Sequence, residues 1–105
     1  MTNDKYIEKI EAMFKVPKRV ANKVQIKAEK TKVGYLIFES RPKWDKDDSE
    51  WIKFDVAKIS FDDKDKMWKA YWKRASGEWE FYKEHRLFSS ILKCIQEDQH
   101  CVFWG

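Results

Sequence analysis

Trp51-Ile52-Lys53-Phe54-Asp55-Val56-Ala57-Lys58-Ile59-Ser60-Phe61 alternates between apolar and polar residues, but not in a single phase. Ile52, Phe54 and Val56 share one parity, and Ala57, Ile59 and Phe61 share the other. A period of two is the mark of a strand whose successive side chains point to opposite faces. A phase change inside such a strand means one residue too many, so a bulge or bend is expected near Val56.

The flanking sequence extends this strand into a meander. Upstream, Val24, Ile26 and Ala28 alternate with Gln25, Lys27 and Glu29, as on a half-exposed strand. Val33 to Phe38 is apolar on both parities and reads as a central strand reached by a hairpin, with Gly34 marking a bulge or a close backbone approach. Arg41, Pro42 and the run from Lys43 to Glu50, with its four carboxylates, two lysines and Trp44, read as an exposed loop. Downstream, Asp62 to Asp65 form a turn. Met67 to Arg74 and Glu78 to Lys83 then form a hairpin in which Gly77 supplies a positive φ.

Helices bracket the strands. Tyr6, Ile7, Ile10, Met13 and Phe14 trace a helical stripe that Thr2 or Asn3 can cap, and Pro17 ends it, leaving Pro17 to Asn22 as a connector. Leu87, Phe88, Ile91, Leu92 and Ile95 trace a second stripe ending near Asp98, ahead of a tail from His100 to Gly105. The predicted fold class is α+β: an antiparallel meander of four to five strands with an N-terminal and a C-terminal helix packed on one face, as a single domain over residues 1–105. The other face is then left open, to be polar, covered or used for binding.

Composition narrows the function classes. No apolar tract approaches the roughly 20 residues that cross a bilayer, and the start of the chain lacks a signal-peptide core, so no membrane partner and a cytoplasmic location are expected. Cys94 and Cys101 are too few for a disulfide framework. Three glycines leave no phosphate-cradling loop, and there is no G-x-S-x-G or H-E-x-x-H, so no cofactor and no catalytic residues are assigned. His85, Cys94, His100 and Cys101 lack zinc-ligand spacing, and His85 is placed at the start of the last helix with nothing to pair it with a cysteine. Glu39, Arg41, Asp55 and Lys58 resemble half of a metal-dependent nuclease set, but read better as cross-strand ion pairs that fix register.

Aromatic residues make up 16 % of the chain, with six tryptophans, and the net charge is +4. In Lys66-Met-Trp-Lys-Ala-Tyr-Trp-Lys-Arg74, rings interleave with cations, the pairing used by sequence-tolerant single-strand binders. Trp68 and Trp72 share a phase and can equally be core. If Trp79 and Phe81 lie with them, the open face carries Lys69, Tyr71 and Lys73 beside Glu78, Glu80 and Tyr82. The candidate binding residues are therefore Glu39, Arg41, Trp44, Lys58, Lys69, Tyr71, Lys73, Arg74 and Tyr82. The expected partner is a nucleic acid or other anionic ligand; the alternative is a homodimer or a protein partner on the same face. The terminal Phe103 and Trp104 are left between core edge, open face and partner contact.

One resemblance runs through these positions. Phe38-Glu-Ser-Arg-Pro-Lys-Trp44, then Val56-Ala-Lys58, Tyr71-Trp72 and Phe103-Trp-Gly105, are similar to a small bacterial family catalogued only as a domain of unknown function. The resemblance covers most of the chain after Val33 and implies no activity.

Overall fold

A computed structural model describes residues 4–20, 23–42 and 51–104. Helix α1 (Lys5–Met13) leads through a short 3-10 turn (Lys18–Val20) into strands β1 (Gln25–Lys30), β2 (Gly34–Pro42), β3 (Trp51–Asp62), β4 (Met67–Lys73) and β5 (Trp79–His85), and helix α2 (Phe88–Glu97) follows. The five strands form one antiparallel sheet in sequence order, β1-β2-β3-β4-β5. This is the α+β meander expected, because hairpin turns need few residues while each strand pairs with its sequence neighbour.

Two bulges decide which side chains face which way. Ile37 pairs with Ala57 and Phe38 with Asp55, so Val56 is the extra residue and the phase change read in the sequence is a register shift. The second bulge lies between β4 and β5, where Ala70 pairs with Lys83 and Tyr71 with Phe81, leaving Tyr82 extra. Gly34 is where β2 passes closest to β3. A Cβ built there would lie 1.9 Å from the Ile59 carbonyl oxygen, so no other residue fits without moving backbone. Gly77 takes its expected positive φ of 94° in the β4–β5 turn.

One face of the sheet carries both helices. Ile37, Ala57, Ile59 and Ala70 from the strands meet Ile10 of α1 and Ile91 and Ile95 of α2, all fully buried. Trp68 sits among Tyr6, Phe61 and Phe88 at centroid distances of 5.2, 4.9 and 4.8 Å, so it serves the core; Trp72 packs against the same cluster. Burying each such ring removes roughly 150 to 250 Å² from water, which is why this small sheet needs only two short helices over it.

Polar groups lock the ends of this layer. The α1 cap is Asp4, not Thr2 or Asn3, which lie outside the described residues; its carboxylate accepts from the Tyr6 and Ile7 amides and from the Tyr35 hydroxyl at 2.9 Å. Burial works against the Asp4 carboxylate, but these hydrogen bonds and the Lys30 charge hold its pKa below the usual carboxylate value. Burial, together with the bond to Asp4, pushes Tyr35 up to about 12. At the other end Asp98, in a left-handed conformation after α2, accepts from the backbone amides of Val102, Phe103 and Trp104. Phe103 is thereby seated against Tyr82 and buried, while the Trp104 indole donates to the Ile95 carbonyl at 2.9 Å. Of the three places open to the tail, it takes the core edge.

The readings of Arg41 and Pro42 and of His85 change. Arg41 and Pro42 extend β2 instead of opening a loop, and residues 43–50, with Trp44, lie outside the described residues. His85 ends β5 instead of starting α2, and its Nε2 lies 3.2 Å from Cys94 Sγ, so it does face a cysteine. Among the described residues, no helix is long and apolar enough to cross a membrane, and no cluster of His, Cys, Asp and Glu is fit to hold a metal ion.

Candidate functional site

The face away from the helices is built by the parity opposite to the core. Glu29 of β1, Leu36 and Phe38 of β2, Asp55 and Lys58 of β3, Lys69, Tyr71 and Lys73 of β4, and Trp79 and Phe81 of β5 fall on it. Four of the expected binding residues, Lys58, Lys69, Tyr71 and Lys73, are brought together here.

The others are elsewhere. Tyr82 was expected beside Tyr71, but as the extra residue of the β4–β5 bulge it turns to the helix side, its ring 5.0 Å from Phe103. The same bulge puts Trp79 and Phe81 on the open face, the reverse of the arrangement read from simple alternation. Glu39 and Arg41 share the parity of Ile37, so they lie on the helix-side parity beyond the reach of the core and pair with each other at 3.0 Å. Arg74 follows β4, exposed, with its Nε 3.9 Å from Glu80. Glu39, Asp55 and Lys58 therefore do not converge as a catalytic set.

Three lysines of the open face are ion-paired, whereas Lys27, opposite Phe38, has no carboxylate within ion-pair distance among the described residues. Lys69 meets Asp62 at 2.9 Å, Lys73 meets Asp55 at 3.2 Å, and Lys53 meets Glu29. The Lys69 hydrogen bond is the main reason that the Asp62 carboxyl stays below its usual pKa, helped by the Asp65 and Lys64 amides; the same bond raises Lys69. Lys58 differs. Among the described residues it has no carboxylate within ion-pair distance, and its ammonium lies 5.8 Å from the centre of the Tyr71 ring.

Two cavities adjoin at Lys58 and Val33. One, of about 460 Å³, runs along Tyr71, Lys69 and Asp62; the other, of about 300 Å³, is bounded by Leu36, Asp55 and Trp79. Leu36 and Trp79 stand three strands apart, about 14 Å on a flat sheet, and the second cavity spans that width between their side chains. Tyr71 and Phe81 meet edge to face at 5.9 Å, and Lys73 lies 5.7 Å from the Trp79 ring. Such a trough can receive a flat or extended group on its rings and hold one anionic group at Lys58.

Leu36, Trp79 and Phe81 went unremarked as site residues in the sequence. The signal that could have found Trp79 and Phe81 is that neither parity of β5 is uniformly apolar, as a bulge requires.

Residues 2–105 match the family model described as Domain of unknown function (DUF3024), and the chain belongs to that family. No match was found among curated proteins or among solved structures.

Proposed function

We propose that the chain is a binding module whose open face takes a flat, anionic ligand in the cavities at Lys58, with a short stretch of single-stranded nucleic acid as the class best suited to its chemistry. The observation that carries this is Lys58: an ammonium without a carboxylate partner among the described residues, beside the Tyr71 ring, where two cavities meet. Bases stack on rings irrespective of sequence, and one lysine at the junction gives a phosphate its counter-charge. Because the neighbouring lysines are already paired, few phosphates are neutralised. Binding should therefore weaken with salt along a shallow line, with a log–log slope of about −0.7 per phosphate engaged. Cys94 and Cys101, both free thiols, suit a reducing compartment such as the cytoplasm.

The test is an amide NMR titration of the labelled protein with a short oligothymidine at low and then moderate salt. Shifts confined to Leu36, Lys58, Tyr71 and Trp79 that fade with salt, and that vanish in Lys58→Gln, are the expected result. Shifts that survive unchanged in Lys58→Gln would sink the reading.

A second reading, self-association, has its own support. Ile52 and Phe54, 38 % and 48 % exposed, lie on the part of β3 that β4 does not pair, since the β3–β4 register begins at Ala57. An exposed edge with apolar residues is a site for strand pairing between chains. A clean monomer by light scattering at high concentration would count against it.

A further inference from the structure

A second concentration of positive charge lies where the end of α1, the connector and β1 meet. Lys15, Lys18, Arg19, Lys23 and Lys27 are all exposed there, and among the described residues none has a carboxylate within ion-pair distance. A cavity of about 340 Å³ opens among Lys15, Lys18 and Lys27, with Val16 and Ile26 as its apolar surface and Glu11 as its one carboxylate among the described residues.

The cavity borders the edge of the sheet. Among the described residues β1 pairs only with β2, and its Ala28 amide donates outward to Glu11 Oε2 at 3.4 Å. Amides of one strand alternate in direction, so the Ile26 amide points out of the same edge. A long carboxylate thus already takes the place that a carbonyl of an added strand would take. Among the described residues no aromatic ring lines the cavity, so none of them offers a base the stacking that single-stranded nucleic acid needs. A groove between an edge strand and a helix is instead where extended peptides add to sheets, main chain on main chain, with alternate side chains entering pockets.

We infer that the β1 edge docks an extended acidic polypeptide segment by strand addition. An aliphatic side chain enters between Val16 and Ile26, and flanking carboxylates meet Lys15, Lys18 and Lys27. The segment's carbonyl displaces the long Glu11 contact. The inference is independent of the Lys58 site: Lys27 has the parity of the open face, but none of the residues of this edge lines the two cavities that meet at Lys58.

The experiment is an amide NMR titration of the full chain with a peptide of about six residues that alternates aspartate and valine. The same peptide with lysine in place of aspartate, and an oligothymidine, serve as comparisons. The acidic peptide should shift Val16 and Gln25 to Ala28, slow hydrogen exchange at the Ile26 amide, and lose affinity as salt rises. Lys15→Glu with Lys27→Glu should weaken it at least about tenfold, with the remaining spectrum intact, while Lys58→Gln leaves it unchanged. Equal binding of the lysine peptide, unaltered exchange at Ile26, or oligothymidine occupying this edge in place of the acidic peptide would each overturn the proposal.

Discussion

Two stretches of this chain carry comparable positive charge: Lys15 to Lys27, and Lys66 to Arg74. In the folded molecule they are electrostatically unlike. On β4 and just after it, Lys69, Lys73 and Arg74 each lie within 4 Å of a carboxylate from elsewhere in the chain. Around the end of α1 and the start of β1, the five cations have no such partner among the described residues. A sequence lists charges, but a partner seven or eighteen residues away, like Asp62 for Lys69 and Asp55 for Lys73, is set by strand register. The segment whose rings and lysines resemble a binding strip is therefore largely neutralised, and the plainer segment presents the stronger field.

That contrast presumes one sheet beneath both regions, and Gly34→Ala is the harshest way to break it. The new Cβ would meet the Ile59 carbonyl at 1.9 Å. The expected cost is about 3 kcal/mol, or a fall in Tm of roughly 10 to 20 °C by calorimetry. A variant as stable as wild type would show that β2 and β3 do not lie as closely as described.

Charge reversal sharpens the contrast directly. Lys15→Glu/Lys27→Glu and Lys69→Glu/Lys73→Glu each lower the formal net charge from +4 by four, to zero. On a polyanion column the first pair should lose most of the retention, and the second should lose much less, because its lysines are already compensated. Equal losses would mean that net charge alone governs the interaction.

A smaller gain is expected from unmasking. Asp55→Asn frees Lys73, and Asp62→Asn leaves Lys69 only its 4.0 Å contact with Asp65; each should tighten oligothymidine binding to the open face by up to a few-fold, on the order of the worth of one exposed ion pair. The gain should vanish at high salt, as titration calorimetry can show.

The smallest effect is on the acid limb of stability. Asp62 has its folded pKa held below 3.8, chiefly by Lys69. Its contribution is present above that value and is lost as pH falls through the lower folded pKa. Stability should then be insensitive to this pair down to about pH 4, and below that Asp62→Asn should lose stability less steeply than wild type in acid denaturation.

Much of the fold was legible because local patterns express it. The phase change at Val56 announced a bulge, Gly34 announced a close approach, and the stripe from Phe88 to Ile95 announced α2. The candidate site was legible only in part. Lys58, Lys69, Tyr71 and Lys73 share a face because no bulge separates the last three, and the Val56 bulge precedes Lys58. Tyr82 was misplaced because the change of apolar parity in β5, from Trp79 and Phe81 to Tyr82, rests on a single residue and is easily read through as plain alternation. Asp98 was read merely as the end of a helix, since its role is to collect amides from a tail that returns to it four to six residues later.

What the amino-acid sequence determined by itself was the order and kind of the elements and the two amphipathic helices that had to share one face. Those follow from periodicity, capping and turn chemistry, which act over a few residues. Tertiary structure alone decided which rings face out, which lysines are paired, and where the unpaired ones gather. The physical reason is that one extra residue in a strand flips every side chain beyond it, and an ion pair forms only within about 4 Å. Neither condition can be read without the partner strand.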